Sequence, residues 1–164
     1  MVVLAPVTSD NWRDLARVRA ADHQREWVAE VTYYLCLSAY GGLWRSCAVL
    51  DDGGTTVGHV MWGVDPDDDS HWIGGLVIDA EQQGKGLGRA TVEALLALWE
   101  SQEPSLSGTA YQQAALSVSP DNETALRLYR SLGFVETGEV ADDEVVLRRP
   151  RAPVSYGRTS RGRR

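Results

Sequence analysis

The sequence has 164 residues, of which 43% are hydrophobic, and a formal net charge of −7. This length is enough for one domain with its own hydrophobic core. No run of 18 apolar residues occurs and no basic stretch precedes the first apolar residues, so we expect neither a membrane-spanning helix nor a signal peptide.

The charge is distributed unevenly along the chain. Seven of the 16 basic residues are arginines within residues 148–164, which leaves nine basic against 23 acidic side chains in residues 1–147, a net charge of −14. An acidic body suits a cationic substrate and argues against nucleic acid as the main partner. Because the arginine-rich segment has prolines and glycines without apolar periodicity, we predict one domain over residues 1–147 and a disordered basic tail over residues 148–164.

Cysteine and histidine are too scattered for a metal site. Cys36 and Cys47 form no C-x-x-C pair, and the three histidines are His23, His59 and His71. We therefore expect no metal cofactor and no disulfide framework. Two buried free thiols, which we expect instead, are typical of a cytoplasmic protein.

The first half of the chain is predicted to form a strand, two helices and a hairpin. In order, these are a strand at residues 2–7, helices at about 10–20 and 24–39, and strands at 45–50 and 55–64. Gly41 and Gly42 end the second helix. The turn sequence Asp-Asp-Gly-Gly between the last two strands is a strong hairpin signal.

The second half alternates strands with helices. The predicted elements are a buried strand at residues 72–78, a helix from residue 87, a loop at 103–109, a strand at 110–118, a helix after residue 122, and a hairpin of residues 134–140 and 144–147. The apolar helix faces are predicted at Leu87, Ala90, Thr91, Ala94, Leu95 and Leu98, and at Ala125, Leu128, Tyr129 and Leu132. Gly133 caps the last helix.

The connection between strand 72–78 and the following helix is rich in glycine. A glycine turn at a helix start leaves backbone N–H groups free at the positive end of the helix dipole, which indicates an anion site, most simply for phosphate. Lys85 is followed by glycine, so the Walker A pattern fails, and Arg89 stands where the dinucleotide fingerprint needs its third glycine. An ordinary helix cap with turn glycines is the alternative.

Two motifs in this order resemble one known family. Gln83-x-x-Gly86-x-Gly88 resembles the acetyl-coenzyme A signature of the GNAT superfamily of N-acetyltransferases. The segment Asn122-x-x-Ala125-x-x-Leu128-Tyr129-x-x-x-Gly133-Phe134 looks like a second motif of that family. The resemblance covers about residues 1–147. It implies an α/β (α+β) fold with a central mixed, mostly antiparallel sheet of about seven strands and four helices.

The resemblance also implies where acetyl-coenzyme A binds. Backbone groups of residues 84–89 would hold the pyrophosphate, and strand residues 76–78 would pair with the pantetheine arm along an edge left free by a splay from the strand at 112–118. A backbone N–H near Ile78 would stabilise the oxyanion, and Asn122 would bond the pantetheine amide. The implied coenzyme-binding residues are Leu76, Val77, Ile78, Gln83, Gly84, Lys85, Gly86, Leu87, Gly88, Arg89 and Asn122.

Tyr129 is the residue that the resemblance implies as general acid. A phenol of ordinary pKa, about 10, is protonated at neutral pH and close enough to a thiol for proton transfer. The general base is left open, because Gly74 stands where many family members carry a carboxylate on the central strand. The candidates are Glu26, Glu30, His59, Asp65, His71 and Glu144, although each of them is individually a more typical surface or strand residue.

The acceptor is the least defined part. The last segment, with acids at 136, 139 and 142–144, looks like the spermine/spermidine acetyltransferase branch, so a polyamine such as spermidine is one candidate primary amine. Protein N-terminal and aminoglycoside acetyltransferases are alternatives, as is a non-catalytic module that binds coenzyme A and uses the arginine tail as a contact. We expect acetyl-coenzyme A as co-substrate, no nucleic acid or membrane partner, and a cytoplasmic location, with homodimer formation left open.

Overall fold

The fold is a seven-stranded sheet with helices on both faces. In a computed structural model, which describes residues 1–101 and 110–152, the strands are β1 (Val3–Pro6), β2 (Arg45–Leu50), β3 (Thr56–Val64), β4 (His71–Ile78), β5 (Gln113–Val118), β6 (Val135–Ala141) and β7 (Glu144–Pro150). Their order across the sheet is β1-β2-β3-β4-β5-β7-β6. Every neighbouring pair is antiparallel except β4 and β5, which confirms the predicted mixed, mostly antiparallel sheet.

The parallel pair β4–β5 is joined only at one end. Its register consists of two residue pairs, His71 with Ala114 and Trp72 with Ala115. Beyond them β4 continues to Ile78 beside β3 alone, so the two strands separate and one edge of β4 is left without a neighbouring strand. This is the splay that the family resemblance implies.

Over residues 1–101 and 110–152, four α-helices accompany the sheet, as predicted: α1 (Trp12–Leu15), α2 (Val31–Tyr40), α3 (Leu87–Ser101) and α4 (Glu123–Ser131), with short 3₁₀ turns at Asp22–Gln24 and Ala80–Gln82. The helices expected at about 10–20 and 24–39 are longer than those observed. The first stops early because Arg19 bonds the chain after β4: its N–H donates to Asp79 Oδ2 at 3.1 Å, and its carbonyl accepts from Ala80 N–H at 2.8 Å. The second begins only at Val31, because Glu30 has extended backbone.

Helix α3 packs on the sheet with a face slightly different from the predicted one. Its buried residues are Thr91, Val92, Leu95, Leu96 and Trp99. The other predicted face residues, Leu87, Ala90, Ala94 and Leu98, are partly buried and flank this contact. Trp99 is 2% exposed and packs in an aromatic cluster with Trp62 and His71. Because Trp99 is buried there, the buried face of α3 is the one that carries Trp99.

The closing hairpin extends further than predicted. β7 runs to Pro150 and pairs through Arg148–Pro150 with the first half of β5, so the proposed domain boundary at residue 147 falls within a strand. The predicted loop at 103–109 and residues 153–164 of the predicted tail lie outside the described residues.

The two cysteines are free thiols, but only one of them is even partly buried, contrary to expectation: Cys36 is exposed on α2. In the described part of the chain, no helix is long and apolar enough to cross a membrane. Within those same residues, no group of three or more histidine, cysteine, aspartate or glutamate side chains could hold a metal ion.

Candidate active site

A cavity of about 500 Å³ lies where β4 and β5 separate. We call it the splay groove. It is lined by the end of β4, the glycine turn, the first residues of α3, and one face of α4. Of the eleven predicted coenzyme-binding residues, ten line the groove and Lys85 does not, and Tyr129 lies among them: Leu76, Val77, Ile78, Gln83, Gly84, Gly86, Leu87, Gly88, Arg89 and Asn122.

The glycine turn presents open backbone at the start of α3. Gly84 and Gly86 have φ of +76° and +75°, a conformation that glycine adopts at little cost, and no heavy atom lies within 4 Å of a Cβ built on either. The first N–H group of α3 with a helical partner at this end is that of Ala90, which donates to Gly86 O at 3.0 Å. The N–H groups of residues 87–89 have no partner within the helix, so they can bind an anion as a cradle of donors.

Side chains around the turn fix it to its neighbours. Gln83 Nε2 donates to Ile78 O at 3.0 Å and to Gln24 Oε1 at 2.6 Å, which ties the turn to β4 and to the segment before α2. Lys85 points away, with Nζ donating to Gln82 Oε1 at 2.7 Å. Arg89 bonds Ser131 on α4, so it joins the two helices that border the groove.

The free edge of β4 faces the groove with unpaired backbone. Asp79 N–H donates to Val57 O on β3 at 2.9 Å. Successive N–H groups along a regular strand point to opposite edges, so that of Ile78 faces away from β3. Ile78 lines the groove, so this donor is available to a bound molecule.

Tyr129 closes the groove from α4. The helix is capped by Asn122, whose Oδ1 accepts from Ala125 N–H at 3.1 Å. The Tyr129 ring is 8% exposed and packs edge-on against Phe134 at 5.8 Å, and its hydroxyl has no hydrogen-bond partner within the described residues. Burial, with a smaller contribution from the charge of Glu144, raises the pKa of Tyr129 to about 12. The phenol is therefore a weaker acid than its ordinary pKa implies.

One of the predicted base candidates, Glu144, lies near this tyrosine. It begins β7 opposite β5, and its Oε2 accepts a hydrogen bond from Ser117 Oγ at 2.6 Å. Burial is the main cause of the raised pKa of both Tyr34 and Tyr129, and the charge of Glu144 raises each of them further. This carboxylate is thus within electrostatic reach of a phenol on either side of the sheet. Ser117, which orients it, was not predicted, since nothing local distinguishes it from other strand serines.

The central-strand position that many family members give to a carboxylate is closed here. A Cβ on Gly74 would lie 2.9 Å from Met61 Cε and 3.1 Å from the ring of Trp44. Those side chains fill the space that a glutamate at position 74 would need. The structure therefore brings no acid to this point of β4.

The other base candidates lie elsewhere. Glu26 and Glu30 are exposed, and Glu30 pairs with Arg19 at 3.6 Å. Asp65 accepts from the N–H of Asp67 in the turn before β4. His71 is buried among the aromatic rings of the core.

His59 is buried completely, and both ring nitrogens have partners. Nδ1 lies 2.6 Å from Gly75 O and Nε2 lies 2.8 Å from Ser46 Oγ, which in turn lies 2.8 Å from Ser38 Oγ. The ring stacks on Tyr34 with a centroid separation of 5.5 Å. Burial lowers the pKa of His59 to about 4, with a partly opposing effect of the bond to Gly75, so the ring is neutral at pH 7.

Comparison with known proteins gives the same assignment as the two motifs. The family model described as "Acetyltransferase (GNAT) family" matches residues 9–134. No curated protein matches the sequence.

Solved structures share the fold at low sequence identity. An acetyltransferase from Thermus thermophilus is 19% identical with a TM-score of 0.71, covering 92% of this chain and 97% of its own. A spermidine N-acetyltransferase from Vibrio cholerae, in complex with CoA and spermine, is 18% identical with a TM-score of 0.67, covering 92% and 95%. The aminoglycoside acetyltransferase AAC(6')-Ib, in complex with paromomycin and acetyl-CoA, is 24% identical with a TM-score of 0.74, covering 97% and 98%.

Proposed function

This chain belongs to the GNAT family of acetyltransferases, and we propose that it acetylates the primary amine of a small cationic acceptor, with acetyl-coenzyme A as donor. The observation that carries the proposal is the splay groove, which joins an anion cradle at the start of α3 to the hydroxyl of Tyr129. The reaction forms a bond between the acceptor nitrogen and the acetyl carbon, breaks the carbon–sulfur bond, and transfers one proton from nitrogen to sulfur. Acetyl-coenzyme A supplies the thioester.

The glycine turn fits the coenzyme's pyrophosphate. Gly84 and Gly86 leave open space where any other residue would place a side chain, and the start of α3 offers free N–H donors. Ile78 offers its backbone N–H group to the pantetheine arm along β4. Lys85, which points to Gln82, contributes charge near the turn and no direct lining.

Tyr129 stabilises the sulfur by donating a hydrogen bond. The pKa of Tyr129 is about 12, well above the ordinary thiol pKa of about 8.5. Full transfer of the phenol proton to the thiolate therefore costs roughly 5 kcal/mol. A hydrogen bond to the developing thiolate avoids that cost. The sulfur then takes its proton from solvent.

Glu144 is the carboxylate that we assign to the acceptor amine. It can attract the incoming ammonium and accept its proton, and Ser117 holds it in place at 2.6 Å. Tyr34, on the α2 side, lies within reach of its charge. The acceptor nitrogen would thus enter between the β6–β7 hairpin and α2.

The hairpin acids contribute less to a polycation site than their number suggests. Glu136 pairs with Arg130, and Glu139 pairs with Arg148 at 3.0 Å, so both charges are already compensated. Asp142 and Asp143, at the tip of the hairpin, are exposed. A polyamine remains one acceptor, and an aminoglycoside offers the same chemistry, a primary amine carried by a body with further positive charges.

The test is a thiol-release assay with acetyl-coenzyme A and an amine panel, with mass spectrometry of the products. The panel contains spermidine, kanamycin and a peptide with a free N-terminus, and each reaction is repeated without amine. We expect amine-dependent thiol release and a product heavier by one acetyl group. Tight binding of acetyl-coenzyme A by calorimetry with no acetylated amine in any reaction would contradict the proposal and favour a non-catalytic binding module.

A further inference from the structure

The peptide between Gly75 and Leu76 is out of line with the rest of β4. The register of β3 and β4 shifts between His59 and Met61, so that two residues of β4 lie opposite one residue of β3. Gly75 is one of the two, and its φ of +52° is left-handed. A β-bulge of this kind redirects the peptide groups next to it.

His59 holds the carbonyl of this bulged peptide. A carbonyl oxygen can only accept, so Nδ1 must carry the proton in the 2.6 Å contact with Gly75 O. Nε2 is then an acceptor and takes a hydrogen bond from the Ser46 hydroxyl, with Oγ at 2.8 Å. The ring is clamped from one side by Tyr34, and a Cβ on Gly75 would lie 3.0 Å from that same tyrosine ring. His59, Gly75 and Tyr34 thus form one tightly fixed unit.

The direction of the Gly75 carbonyl determines that of the next N–H. In a planar trans peptide the C=O of one residue and the N–H of the next point in opposite directions, and the structure contains no cis peptide among its described residues. His59 draws Gly75 O to its own face of the sheet, so the Leu76 N–H points away from it. Leu76 lines the splay groove, so an N–H directed away from His59 has open space for a ligand there.

We propose that His59 is a positioning residue for acyl transfer: by fixing the Gly75 carbonyl, it aims the Leu76 N–H at the thioester carbonyl oxygen of bound acetyl-coenzyme A. This rests on the proposed function and adds a residue from the neighbouring strand, β3, to those that serve the reaction. Oriented backbone donors of this kind stabilise the negative charge that develops on the oxygen. His59 itself touches no substrate.

The first test needs only wild-type protein. In ¹⁵N NMR spectra of the free protein, we expect the His59 ring to carry its proton on Nδ1. The Leu76 amide proton is then followed on addition of acetyl-coenzyme A or of free coenzyme A, which lacks the acetyl carbonyl. A downfield shift with the acetyl form alone supports the proposal. An Nε2 proton on His59, or equal Leu76 shifts with the two ligands, would overturn it.

The second test compares three variants. H59L removes the donor to Gly75, H59N places an amide N–H where Nδ1 lies, and S46A removes only the contact on the far side of the ring. We expect kcat per folded molecule to fall about 10- to 100-fold in H59L, somewhat less than the loss of a whole oxyanion donor, with the KM for acetyl-coenzyme A nearly unchanged. H59N should restore most of kcat, and S46A should stay within about twofold of wild type.

Two results would refute the positioning role. One is a wild-type kcat in folded H59L, and the other is an equal loss of kcat in H59L and S46A, which would indicate general loosening of a buried network. If the wild type transfers no acetyl group to any amine, the proposed function fails, while the NMR comparison still decides whether His59 directs the Leu76 N–H. If H59L does not fold, the NMR result and H59N carry the test.

Discussion

Replacing Tyr129 by phenylalanine removes one oxygen atom from the splay groove and keeps the ring. The edge-on contact with Phe134 at 5.8 Å survives, and the hydroxyl has no hydrogen-bond partner to lose within the described residues. The hydroxyl lies on the groove, so its removal breaks no hydrogen bond of the fold. We therefore expect the unfolding temperature of Y129F to equal or exceed that of wild type.

The expected effect on turnover follows from the role of the hydroxyl. A hydrogen bond to a charged group contributes about 1.5–3 kcal/mol, which corresponds to about 10- to 160-fold in rate. We expect kcat of Y129F to fall within that range while the KM for acetyl-coenzyme A changes little, because the ring still lines the groove. Burial raises the pKa of Tyr129 to about 12, so the phenol stays protonated at pH 10. The pH profiles of kcat for wild type and Y129F should therefore have the same shape up to about that pH.

Steady-state kinetics and thermal unfolding on Y129F decide this, with Y111F as the matched control. Tyr111 is also buried, at 3% exposed, but it does not line the groove, so its variant should keep wild-type kcat. Wild-type kcat in Y129F would leave Tyr129 as a core residue. A fall of kcat accompanied by a large drop in unfolding temperature would show instead that the hydroxyl is structural.

Three further outcomes are expected. Gly86→Glu should weaken acetyl-coenzyme A binding by two to three orders of magnitude in calorimetry, since one charge at 4 Å costs about 4 kcal/mol at an effective dielectric of 20; Gly86→Ala shares the backbone strain and should bind far better. The pKa of His59 is about 4 in the folded protein and 6.5 in the unfolded chain, so its contribution to the free energy of unfolding is complete above pH 6.5. About 3 kcal/mol of that free energy is lost as the pH falls to 4. Chemical denaturation of H59N should lack this pH-dependent loss. Truncation after Leu147 removes three residues of β7 and should lower the unfolding temperature by about 5–10 °C, whereas truncation after Ala152 should leave it unchanged, and equal melting of the two would contradict the extended strand.

The features that could be predicted are those that depend on residues close together in the sequence. The glycine turn between Gln83 and Gly88 and the capped helix from Asn122 to Tyr129 each depend on residues a few positions apart, and the structure places both on one groove. The strands also followed from apolar runs and turn residues. The family resemblance added the mixed, mostly antiparallel sheet and the splay, but the order of the strands across the sheet was not predicted.

The remaining features depend on contacts between distant parts of the chain. Helix α1 ends early because Arg19 bonds Asp79, 60 residues away, and no local pattern encodes that. The link between Ser117 and Glu144 requires β5 and β7 to be neighbours. The role of His59 depends on a bulge in the adjacent strand, so its sequence neighbours show only an apolar strand with one histidine.

The packing beside Gly74 has a consequence for how this active site can change over evolutionary time. Trp44 and Met61 occupy the volume that a longer side chain at position 74 would enter, with a Cβ already 2.9 Å from Met61. A carboxylate at position 74 therefore requires both the end of the Met61 side chain and the Trp44 ring to shift. A smaller residue at position 44 makes room for it, so we expect G74E to lower the unfolding temperature more in the wild-type background than in W44A. Among homologues, we expect positions 44 and 74 to vary together. Where Trp44 is retained, we expect the carboxylate that serves the acceptor amine to be the one on the β6–β7 hairpin, at the position of Glu144.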